Sequence, residues 1–359
     1  MPKLAIIGGG FCAIACAKRL LELQTPIQIN LYTGTTHFEY HGELYKVLSG
    51  ASPHLTRIPY KHFLDTNIVQ LNHERVQILD LTNHLLTYSN MQDTYDLICL
   101  AIGSSSNFFD IPGIAENAYV CRSTEQAVQI HRKVTLALHA HEALRLVIVG
   151  AGPAGIEFAG YLAALCQHTG HKYHLTVLDA AERILPMLDD QELAIVKDRL
   201  SELQIELITG VKIQEYQNHQ LQTSVGTIPT NFLLWAGGQK ANHLSLTGGQ
   251  LNFNTRQAYQ INSYFQTNIP AIFAGGDCSS APDAGLAWSA VAHGQAIAEN
   301  IHKQLLKQEL DSYQPLPHPF ALPIGPHWAF VKVHDQVTSG YPGNLELQKL
   351  KTSLIQQLI

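Results

Sequence analysis

The chain has 359 residues, 46% of them hydrophobic and only 14% charged, with a formal charge of −6. That balance excludes a disordered polypeptide, which combines high charge with few apolar groups. With only 23 Lys+Arg it also offers no basic face to a nucleic acid.

At ~150 residues per domain the length implies two to three domains. No apolar run reaches the ~18 residues of a membrane-spanning helix. Six scattered cysteines read as free thiols of a reducing compartment. The start, Met1-Pro2-Lys3 before a short apolar run, lacks the long apolar core and cleavage site of a signal peptide, so a cytoplasmic location is expected.

Leu4-Ala5-Ile6-Ile7 reads as a buried parallel strand. It enters Gly8-Gly9-Gly10-Phe11-Cys12-Ala13, a G-x-G-x-x-A that opens a helical stretch through Leu20. The first glycine makes a tight turn, and the second lets the backbone approach a pyrophosphate. The third small residue lets helix and strand pack, while the helix N-terminus offers N–H groups to phosphate. The second strand, Ile27–Leu31, runs into Tyr32-Thr33-Gly34, where a ribose-binding acid is expected and none stands. Thr33 and Glu39 are the available substitutes.

The pattern repeats. Leu146-Val147-Ile148-Val149 leads into Gly150-Ala151-Gly152-Pro153-Ala154-Gly155 and a further helix. The next strand, Leu175–Leu178, ends at Asp179, placed to accept hydrogen bonds from an adenosine ribose 2′-OH. A 2′-phosphate would be repelled there, so NADH is expected over NADPH, with Arg183 moderating the preference. The other reading of Asp179 is a turn or helix-cap acid.

Further motifs follow in order: Asp96–Ser104, Phe232–Gly238, Ile272-Phe273-Ala274-Gly275-Gly276-Asp277-Cys278 and Trp288–Ala298. Together with the glycine loops they resemble the two-dinucleotide flavoprotein family that includes glutathione reductase, ferredoxin reductases, apoptosis-inducing factor and type II NADH dehydrogenases. The resemblance implies an α/β fold with two Rossmann-like domains, the nicotinamide domain inserted in the FAD domain, and a small C-terminal unit. The expected divisions are 1–112 with 242–309 for FAD, 113–241 for NADH, and 310–359 for the C-terminal region. FAD would then sit on Gly8, Gly10, Phe11, Cys12, Ala13, Ala101, Gly103, Gly276, Asp277 and Trp288. NADH would sit on Gly150, Gly152, Pro153, Ala154, Gly155, Asp179, Ala236 and Gly237.

Cysteine placement bears on the electron acceptor. Disulfide reductases of this family carry a cysteine pair soon after the second strand, and here Tyr40–Gly50 has none. Cys12, Cys16, Cys99, Cys166 and Cys278 read as packing residues. The segment His37–Gly50 resembles type II NADH dehydrogenases and the related quinone-reducing ferroptosis suppressors. That likeness implies hydride transfer from NADH to FAD, then two electrons to a quinone. It names Glu157 and His293 as catalytic candidates, Glu157 beside the nicotinamide and His293 facing the flavin. In place of the glutamines usual near the quinone this chain has Trp288, Ala292 and His293. Two alternatives therefore stand: a soluble NADH-dependent reductase of a ferredoxin or rubredoxin, and a flavin-binding regulatory protein of low turnover.

His139 and His141, with His168, His171 and His174, lack cysteines or carboxylates at metal-ligand spacing and read as surface residues; no metal is expected. In the tail Asn344 is a candidate N-cap. Leu347, Leu350, Leu354, Ile355 and Leu358 form one apolar stripe at helical spacing. Two readings stand for residues 344–359: packing on the protein or a homodimer partner, and peripheral docking on the inner face of a membrane.

Overall fold

The computed structural model describes residues 1–140 and 142–359. Short apolar runs become strands buried on both faces, as a parallel sheet covered by helices requires. The first sheet has the order Ile272–Ala274, Leu97–Leu100, Lys3–Ile7, Gln28–Tyr32, Val69–Asn72, all parallel. The second has the order Ile205–Ile208, Lys172–Leu178, Ala143–Val149, Phe232–Trp235, again all parallel. The expected α/β architecture with two Rossmann-like sheets is thus present. A two-stranded antiparallel ribbon, Ser104–Ser106 with Gln239–Ala241, joins them.

Among the described residues eight helices surround the sheets: α1 (Phe11–Glu22), α2 (Leu44–Leu48), α3 (Ile114–Asn117), α4 (Thr124–Ala140), α5 (Pro153–Thr169), α6 (Asp190–Glu202), α7 (Ala287–Leu305) and α8 (Gly340–Gln356). The first-loop helix α1 packs tightly on α7. A Cβ on Gly294 would stand 2.2 Å from the Cys12 carbonyl oxygen, so only glycine permits that approach.

A third, antiparallel sheet (Phe320–Pro323, Ala329–Val333, Gln336–Thr338) carries the C-terminal region. It leans on α5, where a Cβ on Gly160 would meet the Gly325 nitrogen at 2.5 Å. Helix α8 begins at Gly340 with Ser339 before it, so Asn344 lies inside the helix and is not its cap. Pro342 falls in the first turn, where a helix has no partner for the missing N–H.

The tail's apolar stripe faces the protein. Leu347, Leu354 and Leu358 are buried, Leu350 packs against Ala329 and Val331, and Ile355 packs on the core beneath the first sheet. Of the two readings of residues 344–359, packing on the chain itself accounts for the stripe. Among the described residues no helix is long and apolar enough to cross a membrane. All six cysteines are buried and unpaired.

Candidate functional site

The first glycine loop closes one end of a cavity of about 460 Å³. Gly8 has φ +130, and a Cβ there would lie 2.0 Å from the Ala101 carbonyl oxygen, so the turn admits glycine alone. Gly10 caps α1 without a side-chain hydrogen bond and has no atom within 4 Å of a notional Cβ. The free N–H groups of α1 therefore face open space, the arrangement that receives a pyrophosphate. Gly8, Gly10, Phe11, Cys12, Ala101, Gly103, Gly276 and Asp277 all line this cavity. Ala13 is fully buried behind the loop, as its packing role requires.

Asp277 stands on the turn Gly276–Cys278, which follows the strand Ile272–Ala274. Its Oδ2 accepts the Ser104 hydroxyl at 2.9 Å. Arg122 donates to both the carbonyl (2.9 Å) and the hydroxyl (3.0 Å) of Ser104. Ser104 and Arg122 line the same cavity. Sequence reasoning missed Arg122, which lies in no motif and comes from the segment just before α4.

At the end of the second strand, against the glycine loop, Thr33 and Gly34 are joined in the cavity lining by Glu74 and Arg75. The Thr33 hydroxyl is held by the Thr35 carbonyl at 2.5 Å. Glu39 is not a ribose substitute. Its Oε2 accepts the backbone N–H (3.0 Å) and hydroxyl (2.7 Å) of Thr124 at the start of α4, where a carboxylate satisfies an orphan helix donor. The carboxylate at this end is Glu74, from the loop after Val69–Asn72, too far along the chain for the motif spacing to find.

Two further expectations are corrected. Trp288 does not line the cavity; it stacks on His318 with ring centroids 6.3 Å apart. His293 is wholly buried and does not line the cavity. Its Nδ1 accepts the Gly276 N–H at 3.2 Å, and its Nε2 lies 2.9 Å from Asp283 Oδ1. Both ring nitrogens are therefore engaged within the protein.

The second loop repeats the first. Gly150 has φ +107, and its Cβ would stand 2.4 Å from the Ala236 carbonyl oxygen. A Cβ on Gly155 would strike the Gly150 carbonyl oxygen at 1.8 Å. Gly152 caps α5 without a side chain, Pro153 begins the helix, and the space at Gly152 is open. Asp179 accepts the N–H of Ala151 (2.7 Å) and of Ala181 (2.8 Å), which ties the loop to the end of the neighbouring strand. Ala154 is exposed at the helix start, and Gly237 lies against the Trp235 ring.

A charged cluster forms where α2, α5 and α8 converge. Lys351 of α8 donates to Glu43 Oε1 at 2.5 Å and to the Tyr45 hydroxyl, and lies 4.7 Å from the Tyr45 ring centroid. Lys46 pairs with the other Glu43 oxygen at 2.6 Å. Glu157, just past the first turn of α5, belongs to the same electrostatic group. Burial pushes its carboxyl up to about 8; Lys351 opposes that shift and Glu43 adds to it. Burial also lowers the Lys351 ammonium, against the pull of Glu43. A protonated acid at neutral pH, beside a desolvated amine, is a group poised to hold and release a proton. Glu157 was expected from sequence, whereas Glu43 and Lys351 were not singled out.

Elsewhere among the described residues, His37, Glu39 and Glu125 bring ligand atoms within 4.8 Å of one another. His37 bonds Glu39, and Glu125 pairs with Arg57. His139 and His171 lie with their rings 4.9 Å apart, while His141 is outside the described residues.

Paired parallel sheets that each end in an uncapped helix are the architecture of oxidoreductases that bind two dinucleotides. The chain belongs to the pyridine nucleotide-disulphide oxidoreductase family, whose sequence profile matches residues 2–296. It is 25% identical over 343 residues to a type II NADH:quinone oxidoreductase of Mycobacterium tuberculosis, covering 84% of this chain and 73% of that protein. It is 26% identical over 329 residues to the type II NADH:quinone oxidoreductase of Haemophilus influenzae, covering 78% and 74%. Among solved structures it superposes on NDH2 of Plasmodium falciparum in complex with NADH, with a TM-score of 0.85 and 14% identity over 100% of this chain and 95% of that one. The sulfide:quinone oxidoreductase of Aquifex aeolicus gives 0.87 at 18% identity, covering 100% and 91%.

Proposed function

We propose that this protein is an NADH:quinone oxidoreductase that works through FAD. The observation that carries the reading is the convergence of Glu157, Glu43 and Lys351 in a chain that has a dinucleotide cavity and no cysteine pair in Tyr40–Gly50. The relatives named above, with their quinone acceptors, support it.

FAD, when bound, supplies a two-electron carrier between NADH and the acceptor. The chain's residues do the rest. The N-termini of α1 and α5 receive the two pyrophosphates. Asp277, held by Ser104 and indirectly by Arg122, takes the flavin's ribityl hydroxyls. Asp179 takes the NADH ribose and disfavours a 2′-phosphate.

Reducing a quinone consumes two electrons and two protons, and the hydride of NADH brings two electrons with one proton. Glu157, protonated at neutral pH because it is desolvated, holds the second proton at its carboxyl oxygen and regains it from solvent. Lys351 and Lys46 hold Glu43 ionised, and Glu43 in turn raises Glu157 while Lys351 opposes that rise.

The test is anaerobic bleaching of the flavin by NADH, followed by steady-state turnover with a short-chain quinone, a ferredoxin and a rubredoxin. Bleaching and fast quinone turnover support the reading. Turnover with the proteins but not the quinone would transfer it to a soluble protein reductase, and absence of bleaching would leave a flavin-binding regulator. Quinone use in this proposal does not depend on membrane docking by the tail stripe, of which Leu347, Leu354 and Leu358 are buried and Leu350 and Ile355 pack on the core.

A further inference from the structure

The buried His293 has no place in the proposed transfer of electrons, yet it is built into a complete hydrogen-bonded chain. Its Nδ1 faces the backbone N–H of Gly276 at 3.2 Å. A backbone N–H only donates, so Nδ1 must carry the lone pair and Nε2 the proton. Nε2–H then donates to Asp283 Oδ1 at 2.9 Å, and the Tyr313 hydroxyl donates to Asp283 Oδ2 at 2.8 Å. The rings of Phe265 and Tyr313 enclose the imidazole, with centroids 5.0 and 5.2 Å away. The tautomer is therefore dictated on both sides.

Gly276 has φ +66, and the residue after it is Asp277. We propose that His293 is the positioning residue of the flavin site, an acid-sensitive clasp whose unprotonated Nδ1 holds the Gly276–Asp277 turn against the cavity. The proposal rests on the flavin reading given above. A proton added at Nδ1 would set two N–H groups head-on, remove the only acceptor given to Gly276 N–H, and free the turn that carries Asp277.

The groups facing His293 come from several elements. Asp283 precedes α7, Asp277 lies on the 276–278 turn, Tyr313 and His318 belong to the link after α7, and Cys12 of α1 packs against Gly275 beside the His293 Cβ. Burial is the main influence on the imidazole and keeps it below its ordinary value; Asp283 and Asp277 oppose that, and His318 adds to it. A histidine held neutral in this way contributes its stabilisation fully above its unfolded-state pKa, and the contribution fades as pH falls.

The experiment measures release of FAD from the holoprotein by the rise in free-flavin fluorescence, between about pH 8 and about pH 5, the span over which histidine titrates. Three proteins are compared: wild type, His293→Asn and His293→Leu. Asn presents an oxygen near the place of Nδ1 and cannot be protonated there. Wild type is expected to release flavin about tenfold faster at the acid end, the equivalent of one lost hydrogen bond. H293N should change less than about twofold, and H293L should release quickly at every pH. A flat wild-type profile, or an H293N profile as steep as that of wild type, overturns the clasp. H293N carries the test if H293L fails to fold. Failure of the wild-type chain to take up FAD at all would overturn the flavin reading itself, and the clasp with it.

Discussion

Lys351 and Glu43 meet at 2.5 Å although 308 positions separate them in the chain. The contact ties the last helix to the segment just ahead of α2, and both side chains are largely withdrawn from solvent, with relative exposures of 14% and 9%. Removing Lys351 leaves the desolvated Glu43 with Lys46 as its remaining cation. Removing Glu43 leaves two buried or half-buried cations facing each other, which is where buried ion pairs become costly.

Lys351→Met is therefore expected to destabilise the protein by roughly 1–3 kcal/mol, because Glu43 loses a hydrogen-bonded partner but keeps Lys46. It should also push Glu157 higher still, because Lys351 is the group that lowers it. Thermal denaturation with the pH dependence of turnover checks both. An unshifted pH profile in a folded K351M protein would disconnect Lys351 from Glu157.

Glu157→Gln separates the cost of that acid from its use. In the folded chain the carboxyl is pushed up to about 8, while the unfolded chain ionises near the ordinary glutamate value. Wild type thus loses stability as pH rises between those values, at up to about 1.4 kcal/mol per unit. E157Q, which has no proton to lose, is expected to be the more stable protein near pH ~8 by roughly 1–3 kcal/mol and indistinguishable near pH ~4. Its quinone turnover should fall by about 10²-fold or more, as for a lost general acid, and lose the inflection near the Glu157 value. Turnover equal to wild type would remove Glu157 from proton delivery.

Asp277→Ala removes the acceptor of the Ser104 hydroxyl and the one carboxylate on the turn facing α1. The protein is expected to purify with less flavin, read from the ratio of visible to ultraviolet absorbance. Preparations as yellow as wild type would argue against the assignment.

Asp179→Ala is expected to raise KM for NADH with little change in kcat, because ribose contacts bind ground and transition states alike. The NADH-over-NADPH preference should narrow as well. Since Asp179 also anchors Ala151 and Ala181, the melting temperature must be followed alongside, and a fall in stability with no change in cofactor preference would assign it a structural role alone.

Leu354→Ala tests the tail. The side chain is buried at 5% exposure, so truncation should cost about 2–4 kcal/mol. Quinones of short and long chain should be affected alike, because this face of α8 is turned to the protein. Loss confined to long-chain quinones would restore the membrane reading.

Both phosphate loops are legible in the sequence, because a tight turn, a close backbone approach and a helix start are decided within six residues. Gly8 and Gly150 must be glycine because Ala101 and Ala236, each just past a neighbouring strand, leave no room for a Cβ, and Gly155 because Gly150 leaves none. The alternation of short apolar runs with helical stretches likewise implies two parallel sheets before any contact is known. The tail's stripe is just as plain, but an apolar face carries no mark of what covers it. Only the packing of α8 shows that the protein itself does.

The cluster at Lys351 is illegible for a related reason. Its three elements lie far apart in the chain, and the shift at Glu157 is created by desolvation, a property of the assembled interior and not of any motif. Glu39 is taken up by Thr124 because α4 starts beside it, while Glu74 lines the cavity. His293 is held within the protein by Gly276 and Asp283, neither of which its own helix supplies. Local chemistry sets where the chain turns and binds phosphate, whereas burial and long-range pairing decide which of its charged and polar groups act.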